Sequence, residues 1–305
     1  MAKVVIIGDS AAGFSAVQEL CAKGAGVFEP VVISRREQPP YKKSMLADFL
    51  SRAAEEKALF LCAADFYARQ KIQTHKPAEA ARVDVKKQRV VLKDSSKIPY
   101  DYLLIACGSQ VKLPDIPGTG KDGVFALDNL ERAREIRLRL DLSPVVCLSG
   151  GAGECLALSR ALHKAREIKI ISTPKPDSFV SDERVEWIEE AGFTEIIGEG
   201  SELKAVKLAG GKAIGTSLVI FSGPYAPRTA FLKESGIRLD PEGYILVDER
   251  LRTNVENIFS CGSACRKEGA MEGAKSWEAA WAEGAEAALN LVSLEGGVPS
   301  CQQTS

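Results

Sequence analysis

Two short glycine-bearing stretches in this sequence could do chemistry. Gly8-Asp9-Ser10-Ala11-Ala12-Gly13 follows the apolar run Val4-Val5-Ile6-Ile7. Gly150-Gly151-Ala152-Gly153-Glu154-Cys155 follows Val145-Val146-Cys147-Leu148-Ser149. A strand that ends in a glycine turn and opens a helix aims free backbone N–H groups and the positive end of the helix dipole at one spot. A pyrophosphate fits such a spot. The first turn is spaced G-x-x-x-x-G, with Ser10 in the middle place, small enough not to block an anion. Its alternative reading is an ordinary tight strand-to-helix turn. The second turn departs further. Ala152 takes the middle place and Cys155 the last, where bulk would press the helix off the strand. Its alternative is a fold retained around a weakened or lost site.

Other reactive residues are few. The eight cysteines form no CxxC and no disulfide-like framework. Cys261 and Cys265 make a CxxxC, read as a redox pair or as two packed thiols. His75 and His163 stand far apart, so no metal site is expected.

The elements that must position these turns alternate strand and helix. Residues 4–7, a helix over 14–23 and a strand over 31–34 make a βαβ unit. Residues 82–92 read as a hairpin with Lys86-Lys87-Gln88 near its turn, and 102–106 as a buried strand ending at Cys107-Gly108-Ser109. From residue 145 the pattern repeats, with a helix over 156–166 and a strand over 168–172. Strands over 244–247 and 257–260 and an Ala-rich helix over 276–291 close the chain, before a frayed tail over 295–305. The fold class expected is α/β, with two Rossmann-like dinucleotide-binding domains, the second inserted in the first. The boundaries expected are 1–116 with 244–305 for one domain and 117–243 for the other.

Composition excludes several classes. The chain has 305 residues, 45% hydrophobic and 27% charged, as globular proteins do. Lys and Arg number 40 against 41 Asp and Glu. That balance gives no global field to draw nucleic acid or an anionic membrane. No apolar run approaches the roughly 20 residues needed to span a bilayer. The start lacks a signal peptide, so a cytoplasmic protein is expected.

Ile6 to Gly13 resembles the opening of the FAD/NAD(P) pyridine nucleotide–disulfide oxidoreductase superfamily. The stretch from Ile33 through Pro39-Pro40-Tyr41 to Leu46 is similar to its rubredoxin/ferredoxin reductase and nitrite reductase flavoprotein branch. Tyr102 to Ser109 resembles the family's mid-chain "ATG" motif. Leu251 to Ser263 resembles its second FAD motif, and Trp277 to Gly284 the helix that follows. The resemblance covers residues 3–292, and the family's C-terminal dimerisation domain is expected to be missing.

The resemblance implies FAD held by Gly8, Ser10, Ala11, Ala12, Gly13, Ser34, Arg35, Lys43, Ala106, Cys107, Gly108, Gly262, Ser263 and Trp277. It implies a weak NAD(P)H site at Gly150, Gly151, Ala152, Gly153 and Glu154. Five departures stand out. Ser34-Arg35 replaces the family's acid after the second strand, and Arg35 reads as an adenine- or phosphate-facing residue or a solvated loop arginine. Lys43 replaces a phosphate-facing Arg, or is a surface lysine. Ser263 replaces an Asp, and Ser44 stands where a reactive Cys would. Thr173 supplies no charge after the second strand of the repeat. The function implied is a FAD-dependent oxidoreductase that passes a hydride from NAD(P)H to flavin and electrons on to a small electron carrier protein or other redox acceptor. The alternatives are a flavoprotein electron-transfer subunit with a degenerate nicotinamide site, and a flavin-free nucleotide-binding protein.

Overall fold

A computed structural model describes residues 1–142, 144–177, 179–180, 183–190, 192–270, 273 and 275–295. The tail expected over 295–305 lies, beyond Glu295, outside the described residues.

The chain divides into two compact units. The first holds Met1–Lys42, Phe60–Gln110 and the chain from Ala226 on; the second holds Lys43–Leu59 and Val111–Tyr225. The crossings therefore fall after residues 110 and 225. The segment Lys43–Leu59 leaves the first unit altogether. Its helix Leu46–Leu50 buries Leu46, Phe49 and Leu50. Arg137, on the helix Leu130–Leu140, stacks over Phe49 at 4.4 Å. Arg134 of the same helix meets Glu56, and Arg52 meets Asp141 just past its end.

The first unit is built on a five-stranded parallel sheet. Its order is Ile258–Ser260, Tyr102–Ile105, Ala2–Ile7, Phe28–Ile33, Gln73–His75. The central strand is apolar because both faces are covered, and Val4, Val5 and Ile6 are wholly buried. The helices Ala11–Lys23 and Trp277–Leu294 pack together on it. They approach closely because Gly284 faces the Ala12 carbonyl: a Cβ at Gly284 would lie 2.0 Å from that oxygen. A three-stranded antiparallel sheet joins Ala80–Asp84, Arg89–Leu92 and Lys97–Pro99. Its first two strands are the expected hairpin.

The second unit repeats this plan. Its parallel sheet runs Val185–Ile188, Glu167–Ile171, Val145–Ser149, Leu218–Phe221, Val124–Ala126. A second antiparallel sheet joins Phe193–Glu199, Glu202–Leu208 and Ala213–Gly215. The helix Ala152–Ala161 starts four residues earlier than its sequence suggests.

Candidate functional site

In each sheet the glycine turn follows the carboxyl end of the central strand, with strands on both sides. In the first unit Gly8 takes φ +106°, and a Cβ there would meet the Ala106 carbonyl oxygen at 2.2 Å. A Cβ at Gly13 would stand 1.9 Å from the Gly8 carbonyl oxygen. Only hydrogen fits at either place. Ser10 is the N-cap of the helix Ala11–Lys23, and no side chain caps it. Its first turn, Ala11, Ala12 and Gly13, thus presents uncapped N–H groups.

Asp9 was not singled out from the sequence, yet it organises this end of the sheet. Its carboxylate is almost wholly buried. Ser34, just past the second strand, donates its hydroxyl to Oδ1 at 2.7 Å. Arg36 reaches the same oxygen at 3.5 Å, and Lys76, just past His75 on the edge strand, pairs with Oδ2. Arg36 also lies over the Tyr41 ring at 4.7 Å, and Lys76 over the Tyr67 ring at 4.6 Å. Burial alone would lower the Arg36 pKa, but the neighbouring Tyr41 and Asp9 outweigh it and raise it. Two cations on one carboxylate leave the cluster with one positive charge in excess. Ser34 belongs to it. Arg35 does not: it is exposed, and the adjacent Arg36 turns inward in its place. Lys43 opens the short turn Lys43–Met45, which clusters with the second unit. It is Lys42 whose ammonium lies over the Trp277 ring, 4.6 Å from its centroid.

The other expected residues gather from the far strands. Ala106 and Cys107 line Gly8, and the Gly108 carbonyl accepts the Arg228 N–H. Gly262, at φ +74°, backs onto Ala12: a Cβ there would come within 2.9 Å of the Ala12 Cβ. Its N–H donates to Glu283 Oε2 at 2.8 Å. Glu283 in turn holds Lys275 Nζ at 2.6 Å, and Ser263 Oγ accepts the Lys275 N–H at 3.1 Å. Ser276 caps the helix Trp277–Leu294, and Trp277 stacks on Trp281 at 4.9 Å. The buried Trp277 indole N–H has no acceptor among the described residues.

The thiols are poor nucleophiles. Cys261 and Cys265 are free and fully buried, and burial raises both pKa values, that of Cys265 to about 11. Burial also pushes Cys107 up to about 12. Among the described residues no group of His, Cys, Asp and Glu could hold a metal ion.

In the second turn the helix starts one residue nearer the strand end than in the first. Gly151 is the N-cap and Ala152 the first helical residue. The Cys155 N–H bonds to the Gly151 carbonyl, as the Phe14 N–H bonds to that of Ser10. By burial and contacts Cys155 stands where Gly13 does: Gly13 faces Ala106 past the end of the neighbouring strand, and Cys155 faces Ser222 past the end of the corresponding one. Cys155, fully buried, lies 3.5 Å from Ser222 Oγ on the neighbouring strand's end. A Cβ at Gly153 would meet nothing within 4 Å. Ser172 donates its hydroxyl to the Gly150 carbonyl at 3.0 Å, and Thr173 is exposed.

A model of the pyridine nucleotide-disulphide oxidoreductase family matches residues 2–284. The chain belongs to this family. Among its relatives, human apoptosis-inducing factor 3 is 28% identical over 312 residues, covering 96% of this chain and 51% of that protein. Rubredoxin-NAD(+) reductase of Pseudomonas putida is 26% identical over 85% of this chain and 71% of that one. The chain thus spans about half the length of the first of these. A covalent putidaredoxin reductase–putidaredoxin complex shares the fold of 99% of this chain and 77% of that one, with a TM-score of 0.86 at 21% identity. The strand pairing and the family membership agree on an α/β fold with parallel sheets.

Proposed function

We propose that the first unit binds FAD and that the chain is an oxidoreductase, taking reducing equivalents from NAD(P)H and delivering electrons to a small redox carrier protein. The observation that carries the reading is the Gly8–Gly13 turn. Its two crowded glycines, uncapped helix start and net positive charge beneath make a cradle that a pyrophosphate fits. Gly8, Ser10, Ala11, Ala12 and Gly13 would hold the pyrophosphate. Ser34 and Arg36 lie beside them, and Ala106, Cys107, Gly108, Gly262 and Ser263 flank the same strand ends. The unpartnered Trp277 N–H is a donor that a bound group could satisfy. Bound FAD would supply the exchange of hydride for single electrons. The residues of the chain bind it and orient it.

Rubredoxin-NAD(+) reductase, by its name, pairs a nicotinamide donor with an electron carrier, and a putidaredoxin reductase is crystallised with putidaredoxin. Both support the acceptor class. No helix among the described residues is long and apolar enough to cross a membrane. The free thiols at all described cysteines support a reducing compartment, for which we propose the cytoplasm.

The test has three steps. Purified protein should show flavin absorbance, or gain it with FAD at near-unit stoichiometry by calorimetry. Anaerobic mixing with NADH or NADPH should bleach it, and rubredoxin or ferredoxin should restore it. No FAD binding at saturation sinks the cofactor assignment and leaves a flavin-free nucleotide-binding protein. Flavin that no nucleotide reduces favours a second reading, an electron-transfer subunit fed by a partner, for which the altered second turn is the motive.

A further inference from the structure

We infer that Lys275 and Glu283 form a charge-neutral latch that fixes the Gly262–Ser263 turn against the Gly8–Gly13 turn, and that both are positioning residues for FAD. The inference rests on the reading of the first unit as the FAD-binding one.

Three observations converge. The first is the place of Ala12. It lies in the first turn of the helix Ala11–Lys23, and two glycines close on it. A Cβ at Gly262 would come within 2.9 Å of the Ala12 Cβ, and one at Gly284 within 2.0 Å of the Ala12 carbonyl oxygen. Gly262 follows the strand Ile258–Ser260, and Gly284 belongs to the helix Trp277–Leu294. The second is the link between these two glycines. Glu283, the residue before Gly284, accepts the Gly262 N–H on Oε2 at 2.8 Å. Lys275 holds the same turn from its other residue, since its main-chain N–H donates to Ser263 Oγ at 3.1 Å. The third is charge. Lys275 Nζ meets both oxygens of the Glu283 carboxylate, at 2.6 and 2.9 Å, with its side chain only 7% exposed. The Cys265 thiol, 3.9 Å from that ammonium, stays neutral at physiological pH because burial raises its pKa to about 11. The carboxylate therefore supplies the countercharge.

An ammonium is tolerated in so closed a place because a carboxylate meets it there. The carboxylate still has lone pairs for the Gly262 N–H, and a charge-assisted hydrogen bond is roughly twice as strong as a neutral one. That bond fixes which way the Gly262 peptide faces, at a φ of +74° that glycine adopts freely. The buried Trp277 indole N–H, close by in the chain, has no acceptor among the described residues and is a donor left for a bound group. Loss of the ammonium alone would leave a bare carboxylate beside a turn that takes a pyrophosphate, and like charges repel at short range. Loss of both charges with an oxygen kept on residue 283 would preserve the latch.

The experiment is calorimetric titration of the full chain, freed of any flavin it carries, with FAD, alongside urea unfolding of each apo-protein. Wild type is compared with Lys275→Met and with two neutral double variants. Lys275→Met with Glu283→Gln keeps an acceptor for the Gly262 N–H, and Lys275→Met with Glu283→Ala removes it. Arg89→Met, which breaks the pair with Asp84 on the antiparallel sheet of the same unit, is the control. Lys275→Met and the double variant with alanine should bind FAD about tenfold more weakly than wild type. The double variant with glutamine should stay within about threefold of wild type, and Arg89→Met should bind as wild type does. If the single variant fails to fold, the two double variants, equal in charge, carry the comparison. Equal FAD affinity in the two double variants would overturn the inference. So would a fall in the urea midpoint of the apo-proteins with FAD affinity unchanged, the mark of a pair that only holds the fold. A wild type that binds no FAD would defeat the functional reading and this inference together, whereas binding that all variants share would defeat the inference alone.

Discussion

Ser34 and Ser172 each follow the second strand of their sheet, and each is buried. They serve different partners. Ser34 donates to the Asp9 carboxylate, and Ser172 to the Gly150 backbone carbonyl. The difference comes from one residue, the one after the first glycine of the turn: Asp9 in the first unit, Gly151 in the second. Where the turn holds Asp9, the acid gathers Ser34, Arg36 and Lys76 from two further strand ends, and the cluster carries a surplus positive charge. Where it holds Gly151, the serine falls back on the main chain, and among the described residues no cation joins it. The exposed Thr173 marks the same loss. Two units of one architecture thus differ in the charge gathered at their turns, and the surplus positive charge lies under the first, where it favours an anion.

The largest expected effect separates Gly13 from Gly153. Gly13→Val forces a branched side chain where a Cβ alone would sit 1.9 Å from a carbonyl oxygen. Overpacking of that kind costs about 1–3 kcal/mol or more, and the shifted helix start should weaken FAD binding by roughly a hundredfold or more. Gly153→Val, in open space, should leave flavin content unchanged. Equal flavin loss from folded forms of both would erase the distinction between the turns.

Asp9→Asn comes next. It leaves Lys76 and Arg36 facing a neutral amide in a nearly closed site. Breaking a mostly buried pair on one side should cost about 2–3 kcal/mol, read as a lower urea midpoint at unchanged slope. A loss below about 0.5 kcal/mol would mean the cluster is surface-like after all.

Much of this was legible in the sequence, and the misses have physical causes. The central strands could be read because a doubly covered parallel strand is a continuous apolar run, as at Val4–Ile7. The first turn could be read because Gly8 and Gly13 are where backbone approaches backbone. Asp9 could not, because its partners stand 25, 27 and 67 residues away and only the sheet brings them together. The start of the second helix at Ala152 was missed because the Gly150-Gly151-Ala152-Gly153 run carries no apolar periodicity to mark where the helix begins. The segment 43–59 follows the first βαβ unit in sequence but is held in the second unit by contacts that reach Arg134, Arg137 and Asp141. Sequence proximity misassigned it for that reason.

Arg36 and Arg35 sharpen the picture at a smaller scale. Arg36→Ala removes one cation from Asp9 and a stacking partner from Tyr41. FAD affinity should fall about tenfold, the loss of one charge-assisted contact. Arg35→Ala removes an exposed side chain and should change it less than about twofold. Calorimetry on the two variants distinguishes the neighbours. The reverse ranking would return the adenosine end to Arg35.

The smallest effect belongs to Gly153→Ala. In a turn that grips a pyrophosphate, a glycine is kept because a side chain would intrude, and replacing it costs binding. Gly153 has no such neighbour, so the methyl group meets only solvent. What remains is the backbone term. Glycine inside a helix costs about 0.5–1 kcal/mol relative to alanine, and less near the N-terminus, because the unfolded chain has more freedom to lose. Gly153→Ala should therefore stabilise the protein by about 0.3–0.7 kcal/mol in urea, with flavin content and nucleotide affinity as in wild type. At Gly13 the same alanine should destabilise, since its Cβ meets the Gly8 carbonyl. Opposite signs at the two positions would show that only one turn still uses its glycine. The same sign at both would mean that the second helix start is packed as tightly as the first.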